Sequence, residues 1–181
     1  STVEQPAAVA TNQKKQELVF ERHRFTGFKK FEGKPIGMVV IPVAGEVNGK
    51  FGEKVAGEAE VYFEKKKGNN FVPETGYINI NNFSWGVVYI DFTPGQYNIS
   101  KLLVKYKGID GGGKKFGGLN FVIKKNAATV TPYMFALTSG KKGNQIQVWN
   151  TTQQMKNLIN NDFKNLKKNE LSESWKIYIP K

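Results

Sequence analysis

The chain has 181 residues, no cysteine and a single histidine, His23. That excludes disulfides, thiolate zinc sites, cysteine nucleophiles and any centre built from several histidines. Its 27 basic residues against 15 acidic ones give a net charge of +12, which invites a polyanionic partner. Only Arg22 and Arg24 are arginine, however, and lysine is the usual residue of a solvated surface.

Residues 1–16 (STVEQPAAVATNQKKQ) are small and polar without periodicity, and they predict a disordered tether. They lack the basic and apolar regions of a signal peptide, so the chain reads as cytoplasmic or as a mature form whose leader has been removed. A single domain is expected over 17–181. No run of 18 apolar residues exists to form a transmembrane helix.

The segment 20–31 (FERHRFTGFKKF) mixes aromatics with Arg22, Arg24, Lys29 and Lys30. It is the candidate polyanion-binding or single-strand nucleic-acid segment. Residues 36–43 (IGMVVIPV) predict a buried strand ending near Pro42, which a central strand tolerates poorly. The alternation over 57–63 predicts a strand with one wet face, and KKKGNN over 65–70 predicts a turn. Strands are expected over 76–80, 85–92 and 97–106.

The stretch GIDGGGK over 108–114 matches the spacing of a phosphate-binding loop, but Lys115 stands where Ser or Thr should be. Its glycines predict a mobile hairpin loop instead. Strands follow over 119–124, 129–137 and 145–149. Met155, Leu158, Ile159, Phe163 and Leu166 then recur at helical spacing, with Thr151 and Gln154 at the spacing of a capping box. They predict a helix near 152–168, with Lys164, Lys167 and Lys168 toward its C-terminus. A last strand is expected at 175–179.

The fold class that emerges is mainly β: a single antiparallel β-sandwich of about eight strands with one C-terminal helix. No metalloprotease, nucleophile-elbow or dinucleotide motif is present. The reading is therefore non-enzymatic, with no cofactor. Trp85 and Trp149 are candidate stacking residues for a sugar or a base, weighed against rim packing.

The run 88–104, and Pro94-Gly95-Gln96-Tyr97 in particular, resembles a segment of prealbumin-like (transthyretin-like) β-sandwiches, where a strand ends in Pro-Gly-x-Tyr and turns back. Pro94 and Gly95 suit the middle of a type II turn. With the tether at 1–16, the chain also resembles a bacterial envelope lipoprotein. That resemblance implies a cell-envelope location, outer-membrane-anchored, periplasmic or surface-exposed. It implies a membrane link only through a lipid anchor before Ser1, and a binding or structural role toward a partner protein or an envelope or host polyanion. Two alternatives stand beside it: a polyanion or single-stranded nucleic-acid binder, and a carbohydrate-binding module. The scarcity of arginine disfavours nucleic acid.

Overall fold

The computed structural model describes residues 18–25, 31–81, 84–106, 109–115 and 119–181. The tether expected at 1–16, and Lys29 and Lys30, lie outside them. Among the described residues, thirteen strands and a helix follow in chain order: β1 Glu21–Phe25, β2 Gly37–Val47, β3 Lys50–Phe51, β4 Glu58–Lys67, β5 Asn70–Asn81, β6 Trp85–Phe92, β7 Gly95–Tyr106, β8 Ile109–Lys115, β9 Asn120–Ile123, β10 Ala127–Val130, β11 Tyr133–Gly140, β12 Gly143–Asn150, α1 Gln153–Glu170 and β13 Lys176–Tyr178.

They form two sheets. The first runs β1–β6–β2, after which β2 pairs with β10 along its first part and with β11 along its second. β13 flanks β10, β12 flanks β11, and β3 pairs with the end of β2. The second sheet is β5–β4–β7–β8, with β9 on the first residues of β7.

The expected all-antiparallel sandwich needs correction. The second sheet is antiparallel, but in the first β1 runs parallel to β6, β10 and β11 run parallel to β2, and β13 runs parallel to β10. The physical reason is a third layer. Every residue of β6 is buried, as are the first nine of β2. Val39, Ile41, Val43, Val88 and Ile90 face the second sheet and meet Val61, Phe63, Ile99 and Leu102. The alternate residues Met38, Val40, Val87 and Tyr89 face the other way, onto α1. A sheet covered on both faces carries continuous apolar strands and accommodates parallel pairing.

The helix lies close to its expected place. Met155, Ile159, Phe163 and Leu166 form its buried stripe. Burying four such side chains is worth roughly 6–12 kcal/mol before ordering costs, against about 1 kcal/mol for a cap, so packing holds it. The cap is Thr152, whose Oγ1 accepts from the Met155 amide at 3.2 Å. Thr151 instead donates its hydroxyl to the Thr131 carbonyl at 3.1 Å.

Two further expectations shift. β2 continues through Pro42, because its pairing with β10 stops at Val40 and that with β11 starts at Val43. The single strand expected over 129–137 is broken there, at Thr131 and Pro132, so no neighbour on that side asks Pro42 for an N–H. The glycine-rich loop is in part a strand: β8 pairs antiparallel with β7, Lys101 opposite Lys115.

Candidate functional site

The nominated arginines are occupied inside the chain. β1 is an edge strand, and Arg22 and Arg24 leave it on one face. Arg22 Nε and Nη2 donate to the two carboxylate oxygens of Asp162, each at 3.0 Å. Its Nη2 also reaches the Asp162 carbonyl at 3.3 Å, and Nη1 reaches Glu170 Oε2 at 3.4 Å. Arg24 Nη1 donates to Glu170 Oε1 at 3.2 Å, and its Nη2 stands 3.6 Å from Asp91 Oδ1. The Tyr89 hydroxyl donates to Asp162 Oδ2 at 2.8 Å.

Two cations thus meet three carboxylates between β1, β6 and α1. Hydrogen bonding to Asp162 raises the Arg22 pKa, partly offset by burial. Burial raises the Asp91 carboxyl above its ordinary value, while Arg24 pulls it back. Burial, then the Asp162 charge, raises Tyr89. The arrangement ties the N-terminal strand to the C-terminal helix.

The tryptophans meet at Phe51. Trp85 is 3% exposed, edge-on to Phe51 at 4.9 Å and to Phe20 at 6.4 Å. Trp149 is half-buried and stacked on Phe51 at 6.4 Å, and its Nε1 donates to Gln147 Oε1 at 3.0 Å. Trp85 is a core residue of the helix-facing layer. Only Trp149 of the pair keeps exposed surface.

A basic cleft lies elsewhere, where β4, β5 and the β6–β7 turn meet the segment before β2. Its volume is about 300 Å³, and it is lined by Phe31, Lys34, Lys65, Lys67, Pro73, Glu74 and Thr93. Local structure places each lysine. The amide of Lys34 closes a turn onto the Phe31 carbonyl at 3.0 Å, with Gly33 at φ +73°. Lys65 and Lys67 stand two apart on β4 and so share a face. The strand runs four residues beyond its expected end at 63, since the hairpin turn is only Gly68-Asn69, with Gly68 at φ +64°. None of the three lysines has a carboxylate within ion-pair distance among the described residues. Glu74 is itself engaged by a partner.

Lys65 is also oriented. Its ammonium donates to Thr93 Oγ1 at 2.9 Å and stands 5.4 Å from the centre of the Tyr97 ring. The Tyr97 hydroxyl spends its proton on the Thr93 carbonyl at 2.6 Å. The 3.0 Å contact between the two hydroxyls must therefore carry the Thr93 proton toward Tyr97. The Pro94-Gly95-Gln96-Tyr97 segment makes this possible. Gly95 has φ +153°, away from the roughly +80° of a type II turn, and already pairs with Ile123 as the first residue of β7. A Cβ at Gly95 would come within 3.0 Å of Lys65 Cε. Tyr97 is buried and stacked on Phe121 at 5.7 Å.

Sequence reasoning missed Lys34, Lys65 and Lys67. The available signal was a triple-lysine run of alternating direction opposite the Pro-Gly-x-Tyr turn. Among the described residues, no three Asp, Glu or His side chains stand close enough to hold a metal ion, and no helix is long and apolar enough to cross a membrane.

The sequence matches no family model and no curated protein. Among solved structures, a leucine-rich repeat protein from Bacteroides thetaiotaomicron is similar over 54% of this chain, at 15% identity and a TM-score of 0.34. The matched part is 13% of that longer chain.

Proposed function

We propose that the protein is a non-enzymatic binding protein of the bacterial cell envelope that takes an acidic polysaccharide, an envelope or host polyanion, at the lysine cleft. One observation carries the reading: Lys34, Lys65 and Lys67 line one cleft with the single carboxylate of Glu74, and among the described residues none of the three has a carboxylate within ion-pair distance. Uncompensated cations around a concavity concentrate field there and attract anions. The arginines, by contrast, have their charge matched inside the chain. Residues 1–16 would supply the tether to the envelope.

Titration with a heparin-derived oligosaccharide at several salt concentrations tests the binding. Affinity should fall steeply with salt, and the variant Lys34→Gln/Lys65→Gln/Lys67→Gln should lose about tenfold or more and show a shallower salt slope. The control Lys141→Gln/Lys142→Gln/Lys164→Gln removes the same charge from exposed positions elsewhere. Equal losses in the two triple variants would reject the cleft as the site. The envelope assignment fails if the unprocessed gene product carries no export leader.

A further inference from the structure

We propose that the cleft recognises one monoester oxyanion of that polymer, a sulfate or phosphate group, and that Lys65 grips it as an ammonium of fixed orientation rather than as a diffuse charge. This rests on the polyanion reading above. The Tyr97 hydroxyl donates to the Thr93 carbonyl, so the Thr93 hydroxyl donates to Tyr97, and Thr93 Oγ1 is left as the acceptor for Lys65. Every proton in this relay has one direction. The ammonium has three donors, and the relay uses one.

Among the described residues no carboxylate comes within ion-pair distance of Lys65 to take the other two, and it lines the cleft together with Thr93. Its stem is confined as well, by the Tyr97 ring and by the close passage over Gly95. A lysine ordinarily loses considerable rotamer freedom when it engages a ligand. Here much of that freedom is gone beforehand, and preorganisation favours binding. Lys34 and Lys67 are exposed and without such a relay, so they supply field and reach from two further positions. Three ammonium groups lining one cleft suit an oxyanion with three terminal oxygens better than a planar carboxylate with two. Thr93 and Tyr97 are positioning residues in this scheme.

The test uses variants that leave the charge unchanged. Three probes of equal length are titrated: a sulfated oligosaccharide, a phosphorylated oligosaccharide and an oligouronate bearing carboxylates alone. Thr93→Val should weaken the sulfated probe, the phosphorylated probe or both by about tenfold, with the salt slope unaltered because no charge is lost. Whichever of the two responds identifies the source of the oxyanion. Thr93→Ser should restore the affinity, which a merely structural effect of the valine would not require. Tyr97→Phe keeps the ring but frees the Thr93 hydroxyl, and should cost severalfold. The oligouronate should bind more weakly and be indifferent to Thr93→Val.

The proposal is overturned if Thr93→Val stays within twofold of the parent for both ester probes, or if the oligouronate responds equally. In either case binding that still depends on the three lysines leaves the polyanion reading intact. If the parent protein binds none of the probes, that reading falls and this proposal falls with it.

Discussion

Arg22 and Asp162 stand 140 positions apart in the chain and are joined by two hydrogen bonds of 3.0 Å, one to each carboxylate oxygen. Their side chains are 26% and 15% exposed, so the pair is neither fully wet nor fully dry. Removing one partner of a largely shielded, doubly bonded pair costs more than the near-zero value of a surface pair. Asp162→Ala also strips the Tyr89 hydroxyl of its acceptor. We expect a loss of about 2–3 kcal/mol in urea-unfolding free energy. A change below about 0.5 kcal/mol would mean that the pair is only a surface contact.

Gly86 faces Glu21 across the parallel β1–β6 pair, and a Cβ at Gly86 would collide with the Glu21 backbone. Gly86→Ala should therefore push β1 off the sheet edge while leaving the central strands paired. Hydrogen exchange is the measurement: amides within 21–25 should lose protection, whereas those of β2 should keep theirs. Unchanged protection at 21–25 would show that the edge can yield without letting go.

Asp91 has a carboxyl raised by burial, with Arg24 opposing the shift. Its Oδ1 makes no hydrogen bond among the described residues. The folded protein therefore holds this proton more tightly than the unfolded chain does. Stability contributed through Asp91 rises as pH falls through its folded pKa toward the ordinary carboxylate value, and is lost again above that range. Unfolding free energies at pH 7 and pH 5 should differ less in Asp91→Asn than in the parent. An unaltered pH slope would assign the titration to another group.

Glu74 places a negative charge among the three cleft lysines. Glu74→Gln should raise affinity for a sulfated oligosaccharide about twofold to fivefold at low salt, and the gain should shrink as salt is added. Calorimetric titration at two ionic strengths measures both effects. A loss of affinity would instead show that Glu74 is needed to hold the cleft in shape.

Much of the β pattern was readable because burial writes itself into apolar runs. Trp85 to Phe92 forms a strand with the expected limits, and Met155, Ile159, Phe163 and Leu166 mark the buried face of α1. Strand direction was not readable. The continuous apolar stretch of β2 says that both faces are covered, but not that a helix covers one and the second sheet the other. Pro42 looked like a stop because its tolerance depends on a break in a neighbour some ninety residues later, at Thr131 and Pro132.

The arginines illustrate the same difficulty at the site. Arg22 and Arg24 stood out because they are the only arginines and sit among aromatics. Their carboxylates, Asp91, Asp162 and Glu170, come from a distant strand and a distant helix, and no local pattern announces them. Lys65 and Lys67 seemed to be solvated turn residues. What distinguishes them is that no carboxylate among the described residues comes within ion-pair distance of them, and sequence spacing does not record that.

The central place of β2 also sets a timetable for folding. Its flanking partners come from residues 85–92 on one side and from 128–139 on the other, so neither can be recruited locally. Such high contact order slows folding, because long loops must close before the pairing rewards them. A ribosome delivers Met38, Val40, Val87 and Tyr89 long before it delivers Ile159 and Phe163, which cover them. During that interval the nascent chain carries a sticky, lidless face, and any truncation ahead of Gln153 would make that vulnerable interval permanent.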